Sequence, residues 1–193
     1  MIKAIVLDCF GVLYIPQDDY FYQTVMANPK AHHDEIRDLV KQSEYGYIDD
    51  ATLFAGIAEM TGLPVEEITT KLTSGFARNQ ELIDMLQGLR PQYKLAMLSN
   101  LGRNSSVKFF TLEERAKLFD AVVISGEVGM IKPEPGIFEY ACRQLGVEPH
   151  EAVFVDDAER NCEGARAVGM QAIVYESWPQ AQRDLTALLE AGK

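Results

Sequence analysis

The sequence predicts an α/β protein with a doubly wound parallel sheet and an inserted all-helical subdomain. The first observation is that apolar, β-branched runs of the length of short strands recur at residues 2–7, 95–98, 121–124, 152–155 and 172–175. Such runs are typical of strands buried on both faces of a parallel sheet. The second is that helical periodicity fills the later intervals, at residues 105–117, 135–145, 159–168 and 180–190. Strands that alternate with helices favour a parallel sheet with crossover helices.

The interval between the first two predicted strands has a different pattern. Residues 17–90 show only helical periodicity, although one helix is enough to connect two parallel strands. We therefore expect residues 16–78 to form a helical cap subdomain and residues 1–15 and 79–193 to form the core. Within the core, residues 81–89 are the crossover helix that returns to the sheet. The predicted turns and helix boundaries in the insert are Pro16, Asn28-Pro29 and Gly62-Leu63-Pro64.

Composition restricts the class of protein and its partners. The 193 residues include 18 Lys+Arg and 29 Asp+Glu, a net charge of −11, and 47% are hydrophobic, which is an ordinary globular composition. The acidic balance argues against nucleic acids and anionic membranes as partners, since both bind basic patches. The apolar runs are far shorter than the ~18 residues of a membrane span, and no signal-peptide pattern opens the sequence, so we expect a cytoplasmic location.

The three cysteines give no sign of a disulfide or metal framework. Cys9, Cys142 and Cys162 are an odd number and lack a CxxC spacing. We therefore expect reduced, buried thiols.

Polar residues follow the predicted strands at the points where each strand ends. In chain order they are Asp8, Ser99-Asn100, Lys132 and Asp156-Asp157. Taken singly, an Asp or a Ser-Asn pair after a strand is commonly a helix N-cap or a turn residue, and a Lys beside proline is usually solvated. Ligands of open parallel sheets, however, bind beyond the carboxyl ends of the strands. The joint placement of these residues therefore predicts a functional site.

In this order the residues resemble the four motifs of the haloacid dehalogenase (HAD) superfamily of hydrolases. The matching segments are Asp8 with Gly11-Val12-Leu13, Ser99-Asn100, Lys132 and Val153-Phe154-Val155-Asp156-Asp157. The resemblance covers residues 2 to about 175 and implies a Rossmann-like core with a helical cap of the C1 type. Ser99-Asn100, the run from Gly129 to Glu134 and the Asp pair most resemble phosphatases of sugar phosphates such as glucose 1-phosphate and the phosphatase domain of epoxide hydrolases.

The resemblance implies a magnesium-dependent phosphomonoester hydrolase that acts on a small phosphorylated metabolite such as a sugar phosphate. Asp8 is the expected nucleophile, which forms an aspartyl phosphate, while Ser99 and Lys132 hold the phosphoryl group. The expected substrate- or phosphate-binding residues are Asn100, Phe10 and Gly11. The expected Mg²⁺ ligands are Asp8, the carbonyl of Phe10, Asp156 and Asp157, with Asp157 the better candidate for direct ligation.

Charge balance favours a cation independently of the resemblance. Three carboxylates beside the single ammonium group of Lys132 leave about two negative charges uncompensated, which is costly in a partly buried site. A divalent cation removes that cost, and carboxylate and carbonyl oxygens suit magnesium.

Phe10 departs from the pattern of the phosphatases in this superfamily. Those enzymes usually carry an Asp two residues after the nucleophile, which protonates the leaving oxygen and later activates water. General acid–base catalysis is worth about 10² to 10⁴ in rate, so we expect slow turnover or a need for good leaving groups. Two alternatives stay open. One is a weak or inactive protein that binds a phosphorylated ligand. The other is a haloacid dehalogenase, although that class carries Tyr at this position and neutral residues in place of Asp156-Asp157.

Residues before or within the insert are further candidates for substrate contacts. The aromatic residues, which either line a pocket or pack inside the cap, are Tyr14, Tyr20, Phe21, Tyr22, Tyr45 and Tyr47. Glu44, Asp49 and Asp50 are candidates for contacts with sugar hydroxyls. Asp49 or Asp50 is more simply interpreted as the N-cap of a helix that begins near Ala51.

Overall fold

The structure is a computed structural model that describes residues 1–17, 33–103 and 105–191. The strands are β1 Ala4–Leu7, β2 Tyr14–Pro16, β3 Phe76–Arg78, β4 Lys94–Ser99, β5 Ala121–Ile124, β6 Ala152–Asp156 and β7 Gln171–Val174. The helices are α1 His33–Glu44, α2 Asp50–Thr61, α3 Val65–Ser74, α4 Gln80–Leu89, α5 Leu112–Leu118, α6 Ser125–Val128, α7 Pro135–Leu145, α8 Glu159–Ala167 and α9 Trp178–Ala191. Short 3₁₀ turns occur at Ser105–Lys108 and Pro149–Glu151.

The five predicted strands form one parallel sheet, which confirms the fold class. The strand order is β5-β4-β1-β6-β7, so β1 lies at the centre. Leu7 near the end of β1 is in register with Met97 of β4 and Val155 of β6. The chain builds the sheet first to one side of β1 and then to the other. The carboxyl ends of β1, β4 and β6 therefore border the crevice where ligands of such sheets bind.

Alternate residues of the buried strands face two separate hydrophobic layers. Ile5 and Leu7 of β1 pack in the layer that also contains Leu86 of α4 and Leu185 of α9. The other layer lies against α7 and α8 and includes Val6. The three cysteines are buried and free, as predicted. None of the helices in the described part of the chain is long and apolar enough to cross a membrane.

The described part of the insert is a small helical unit with its own core. The residues buried in this unit, all drawn from α1, α2 and α3, are Ile36, Leu53, Phe54, Ile57 and Ile68. Asp49 caps α2 by accepting a hydrogen bond from the Thr52 N–H at 2.8 Å, as predicted. Gly62 ends the same helix in a left-handed conformation. The predicted turn at Asn28-Pro29 lies outside the described residues, and the predicted cap boundaries at 16 and 78 stay a prediction.

Two sequence-based expectations about the secondary structure were wrong. The predicted all-helical interval contains β3, which pairs antiparallel with β2 and forms a ribbon between the sheet and the cap helices. Strands of three residues are too short to show a period. The single helix predicted over residues 105–117 is interrupted, because Thr111 starts a new helix with a capping box completed by Glu114.

Candidate active site

Lys132 joins two carboxylates at the carboxyl edge of the sheet. Asp8 follows β1 and Asp156 ends β6, while Lys132 lies in the loop between α6 and α7. The Lys132 Nζ is 2.9 Å from Asp8 Oδ1 and 2.6 Å from Asp156 Oδ2. All three residues are buried, with exposed fractions of 8%, 0% and 3% for Asp8, Asp156 and Lys132. The sheet therefore brings together groups that are distant in sequence, as predicted.

The buried Asp156 is fully engaged by the protein. Its carboxylate accepts hydrogen bonds from Lys132, from the Ala158 N–H at 2.8 Å and from the Asn161 side chain at 3.0 and 3.1 Å. These bonds occupy both oxygens and hold the carboxylate behind the Lys132 ammonium group. Sequence reasoning did not assign Asn161 to the site. Asn161 lies in the first turn of α8, five residues after Asp156.

Asp157 points instead toward the loop that follows β1. It is exposed, and its carboxylate fills the space beside Gly11. A β-carbon at Gly11 would stand 2.4 Å from both Asp157 Cγ and Oδ2. Gly11 also has a φ of +81°, which side chains rarely adopt. Its N–H donates to the Tyr14 carbonyl at 2.8 Å. Gly11 thus contributes space for Asp157, and its N–H is already used within the turn.

The three predicted acidic ligands form one cluster that fits a divalent cation. Asp8, Asp156 and Asp157 each offer a carboxylate oxygen, and these oxygens lie within 4.8 Å of one another. No N–H of the described residues donates to the Phe10 carbonyl, so this oxygen is available as a further ligand. Carboxylate and carbonyl oxygens are the donors that Mg²⁺ prefers. Because Asp156 is already saturated by hydrogen bonds, Asp8, Asp157 and the Phe10 carbonyl are the better placed donors.

The electrostatics of the cluster are those of crowded carboxylates. Burial raises the pKa of Asp8 to about 7, although Lys132 acts in the opposite direction. Although Asp157 is exposed as a residue, partial desolvation of its carboxyl group and the neighbouring Asp156 raise the pKa of Asp157. For Lys132, burial acts to lower the pKa, but the charges of Asp8 and Asp156 outweigh it and raise the pKa. A cation bound among these oxygens would favour the ionised carboxylates.

Asn100 holds the backbone of Lys132. Its side-chain amide donates to the Lys132 carbonyl at 3.0 Å and accepts from the Lys132 N–H at 2.8 Å. The adjacent Ser99, the last residue of β4, is 2% exposed and borders the cavity above Asp8. The two residues therefore lie where the sequence predicted, and Asn100 has a positioning contact that the sequence did not reveal.

The side chain of Phe10 is packed in an aromatic cluster. Its ring centroid is 4.4 Å from that of Phe76 and 4.7 Å from that of Phe109. Tyr14 also packs against Phe109 and donates its hydroxyl to the Phe109 carbonyl at 2.5 Å. Phe10 thus fixes the ribbon of β2 and β3 to the segment after β4, and no proton-transfer group stands at this position.

A cavity of about 480 Å³ opens above Asp8 and is covered by the cap helices. Its apolar cap wall consists of Val40, Leu53, Phe54, Ile57 and Leu72. The polar cap groups at this cavity are Ser43, Glu44 and Asp50. Asp50 accepts hydrogen bonds from Ser105 at 2.8 and 2.9 Å and pairs with Lys108 at 2.8 Å, so it links the cap to the core.

The aromatic residues that the sequence offered as candidates for a pocket lie in different parts of the structure. Tyr45 and Tyr47 stack on each other with centroids 5.4 Å apart, and neither borders the cavity. The Tyr45 hydroxyl donates to Glu134. Tyr14 packs in the core. The other three candidates, Tyr20, Phe21 and Tyr22, lie outside the described residues.

A parallel sheet whose central strand ends at a buried Asp, beside a Lys and an acidic cluster and under the helices of the insert, has the layout of a candidate active site. The match to a family model agrees. A model of haloacid dehalogenase-like hydrolases matches residues 2–169, and the chain belongs to this family.

Solved structures and a curated relative extend this similarity. The chain resembles a HAD-like family hydrolase from Porphyromonas gingivalis with a TM-score of 0.79 and 26% identity, covering 98% of each chain. A HAD family enzyme from Bacteroides thetaiotaomicron in complex with magnesium and inorganic phosphate matches with a TM-score of 0.76 and 26% identity, over 92% of this chain and 98% of that one. Human N-acylneuraminate-9-phosphatase is 37% identical over 92 residues, which are 47% of this chain and 37% of the human protein.

Proposed function

We propose that this protein is a magnesium-dependent phosphomonoester hydrolase that acts on a small phosphorylated metabolite in the cytoplasm. The observation that carries the proposal is the contact of Asp8 with Lys132 beside the acidic cluster, on the floor of a covered cavity. Phosphate chemistry in the relatives is consistent with it, since one was crystallised with magnesium and inorganic phosphate and another is named as a phosphatase.

Asp8 is the nucleophile in this proposal. Its carboxylate oxygen attacks phosphorus in line with the leaving alcohol and forms an aspartyl phosphate, which water then hydrolyses. Lys132 keeps Asp8 in place and neutralises phosphoryl oxygens, and the Ser99 hydroxyl at the end of β4 binds the same group. Asn100 supports this arrangement through its two bonds to the Lys132 backbone.

The metal in this proposal is Mg²⁺, held by Asp8, Asp157 and the Phe10 carbonyl. Bound there, it supplies positive charge that neutralises the phosphoryl oxygens and the acidic cluster. Asp156 contributes by fixing Lys132, because its own oxygens are saturated by hydrogen bonds. The exposed Asp157 carboxylate, seated beside Gly11, faces the open side of the cluster.

The leaving group lies toward the cap in this arrangement. The cap wall is largely apolar, with Ser43, Glu44 and Asp50 as its polar members. A sugar phosphate is the substrate class that the sequence resemblance implies. Because this wall is apolar, phosphate esters of apolar alcohols are worth testing together with sugar phosphates. Phe10 in place of an Asp makes slow turnover the expectation unless another group transfers the proton.

The test is release of inorganic phosphate from a panel of sugar phosphates, apolar alkyl phosphates and p-nitrophenyl phosphate, with magnesium or EDTA. Wild type and Asp8→Asn are compared, and Asp34→Asn, an exposed carboxylate of α1, is the matched control. We expect metal-dependent release by wild type and the control and none by Asp8→Asn. Binding of inorganic phosphate without turnover of any ester would favour the ligand-binding alternative. Halide release from a haloacid would favour the dehalogenase alternative.

A further inference from the structure

The proposed reaction lacks a group that transfers a proton to the leaving oxygen. An alkoxide departs poorly without one, and the water that hydrolyses the aspartyl phosphate must lose a proton. Phe10 cannot do either, because its side chain is a hydrocarbon packed against Phe76 and Phe109. The required group must therefore come from elsewhere in the cavity.

Four carboxyl groups of the described residues border this cavity, and three of them are already in use. Asp8 is the proposed nucleophile and Asp157 belongs to the acidic cluster. Asp50 is held by two hydrogen bonds from Ser105 and an ion pair with Lys108. Glu44 is the fourth, and within the described part of the chain it forms neither a hydrogen bond nor an ion pair.

Glu44 is the last residue of α1 and borders the same cavity as Asp8. Burial raises the pKa of Glu44 to about 7, and the positive charges of Lys132, Arg160 and Lys41 counteract only part of that effect. The charge of Lys132 acts on Glu44 from the loop between α6 and α7, that of Arg160 from α8 and that of Lys41 from α1. A carboxyl group in this range can both donate and accept a proton at neutral pH.

The neighbouring Ser43 is a second polar residue of the insert at this cavity. Ser43 is 2% exposed and borders the cavity. Its hydroxyl oxygen is buried and has no hydrogen-bond partner among the described residues. An unpaired buried hydroxyl costs free energy, so this wall of the cavity holds a polar group that has no partner among the described residues.

We infer that Glu44 is the general acid and base of the reaction proposed above, in the role that Phe10 cannot fill. In the first step an Asp8 oxygen bonds to phosphorus while the bond from phosphorus to the ester oxygen breaks, and the Glu44 carboxyl proton passes to that oxygen to release a neutral alcohol. In the second step the Glu44 carboxylate takes a proton from water as the water oxygen attacks phosphorus. The bond to Asp8 breaks, and hydrogen phosphate leaves. Glu44 ends protonated, as it began.

The experiment compares Glu44→Gln with wild type on two esters that differ in leaving group. p-Nitrophenyl phosphate releases a phenolate that departs without protonation, whereas glycerol phosphate releases an alkoxide that needs it. We expect kcat/KM of Glu44→Gln to fall by about 10² or more on glycerol phosphate and to change little on p-nitrophenyl phosphate. Glu44→Gln should also show a burst of p-nitrophenolate, since hydrolysis of the aspartyl phosphate is slowed.

Two further variants give the comparison its controls. Asp38→Asn removes one negative charge from the exposed face of the same helix and should behave as wild type. Glu44→Asp keeps a carboxyl group and should retain part of the activity on glycerol phosphate. With wild type, kcat/KM on glycerol phosphate should fall as the pH rises through about 7, because the donor loses its proton, and Glu44→Gln should lack this limb.

The outcomes separate this inference from the proposed function. An equal loss on both esters would assign Glu44 to substrate binding, and no loss on either would assign the proton to another donor. Both results would overturn the inference while Asp8-dependent phosphate release still stood. If wild type released no phosphate from either ester, the proposed function and the role of Glu44 would fail together.

Discussion

Replacing Gly11 by alanine tests the geometry of the acidic cluster most directly. The added β-carbon would stand 2.4 Å from the carboxylate of Asp157, where about 3.4 Å is the lower limit of an ordinary contact. Asp157 or the loop must therefore shift by about 1 Å, a displacement that can cost about 10² in rate at a catalytic site. We expect a loss of this size at ordinary magnesium concentrations.

The change also introduces backbone strain, which a matched variant measures separately. Gly62 has a φ of +73°, similar to the +81° of Gly11, but nothing lies within 4 Å of its added β-carbon. An L-residue in this region costs about 1–2 kcal/mol. At about 2–4 °C per kcal/mol for a chain of this size, both Gly11→Ala and Gly62→Ala should lower Tm by about 2–8 °C. Only Gly11→Ala should affect catalysis.

The assays are phosphate release as a function of magnesium concentration and the magnesium-induced rise in Tm. A ligand that binds only the folded state stabilises it in proportion to the logarithm of its concentration over Kd. Wild type and Gly62→Ala should therefore show the same rise, and Gly11→Ala should need more magnesium to reach it. The reasoning is refuted if Gly11→Ala keeps wild-type magnesium dependence and rate, or if both variants lose activity equally.

Three further predictions concern charged and capping residues. Asp157→Asn should lose about 10² or more in activity with little loss of stability. Asp156→Asn should instead lower the free energy of unfolding by about 3 kcal/mol or more, because it disrupts a buried ion pair. Phosphate release and urea unfolding of both variants check this. Arg78 and the Thr111 N–H lower the pKa of Glu114 to about 2, so Glu114→Gln should lower the free energy of unfolding by about 1 kcal/mol at pH 7. In urea unfolding, the difference in this free energy between variant and wild type should fade as the pH falls from about 4.5 toward 2. Thr111→Ala removes the N-cap of α5 and should cost about 1 kcal/mol in the same assay without changing the rate of phosphate release.

Local pattern was enough to predict the sheet and the order of the residues at its edge. Strands buried on both faces must be apolar throughout, so the runs before Asp8, Ser99 and Asp156 were visible without any knowledge of their neighbours. The ribbon of β2 and β3 was missed because three residues show no period. The break before Thr111 was missed because the helical pattern continues across its capping box.

The chemistry of the individual site residues needed contacts between distant segments. Asp156 and Asp157 are adjacent and identical in type, yet one is saturated by Lys132 and Asn161 while the other lies open beside Gly11. The sequence could favour the second of the pair only through a family resemblance. Their difference comes from the opposite directions of successive side chains at the end of β6.

The sequence by itself determined the fold class, because that depends on local period. Through the family resemblance it also named Asp8 as the nucleophile candidate and Phe10 as the position without an acid–base group. The tertiary structure decided which groups are buried, paired or left free. In the sequence Glu44 is only one of three acidic candidates for contacts with sugar hydroxyls. Its partial burial above Lys132 arises only when the cap lies over the sheet, because desolvation depends on all neighbours in space rather than on neighbours along the chain.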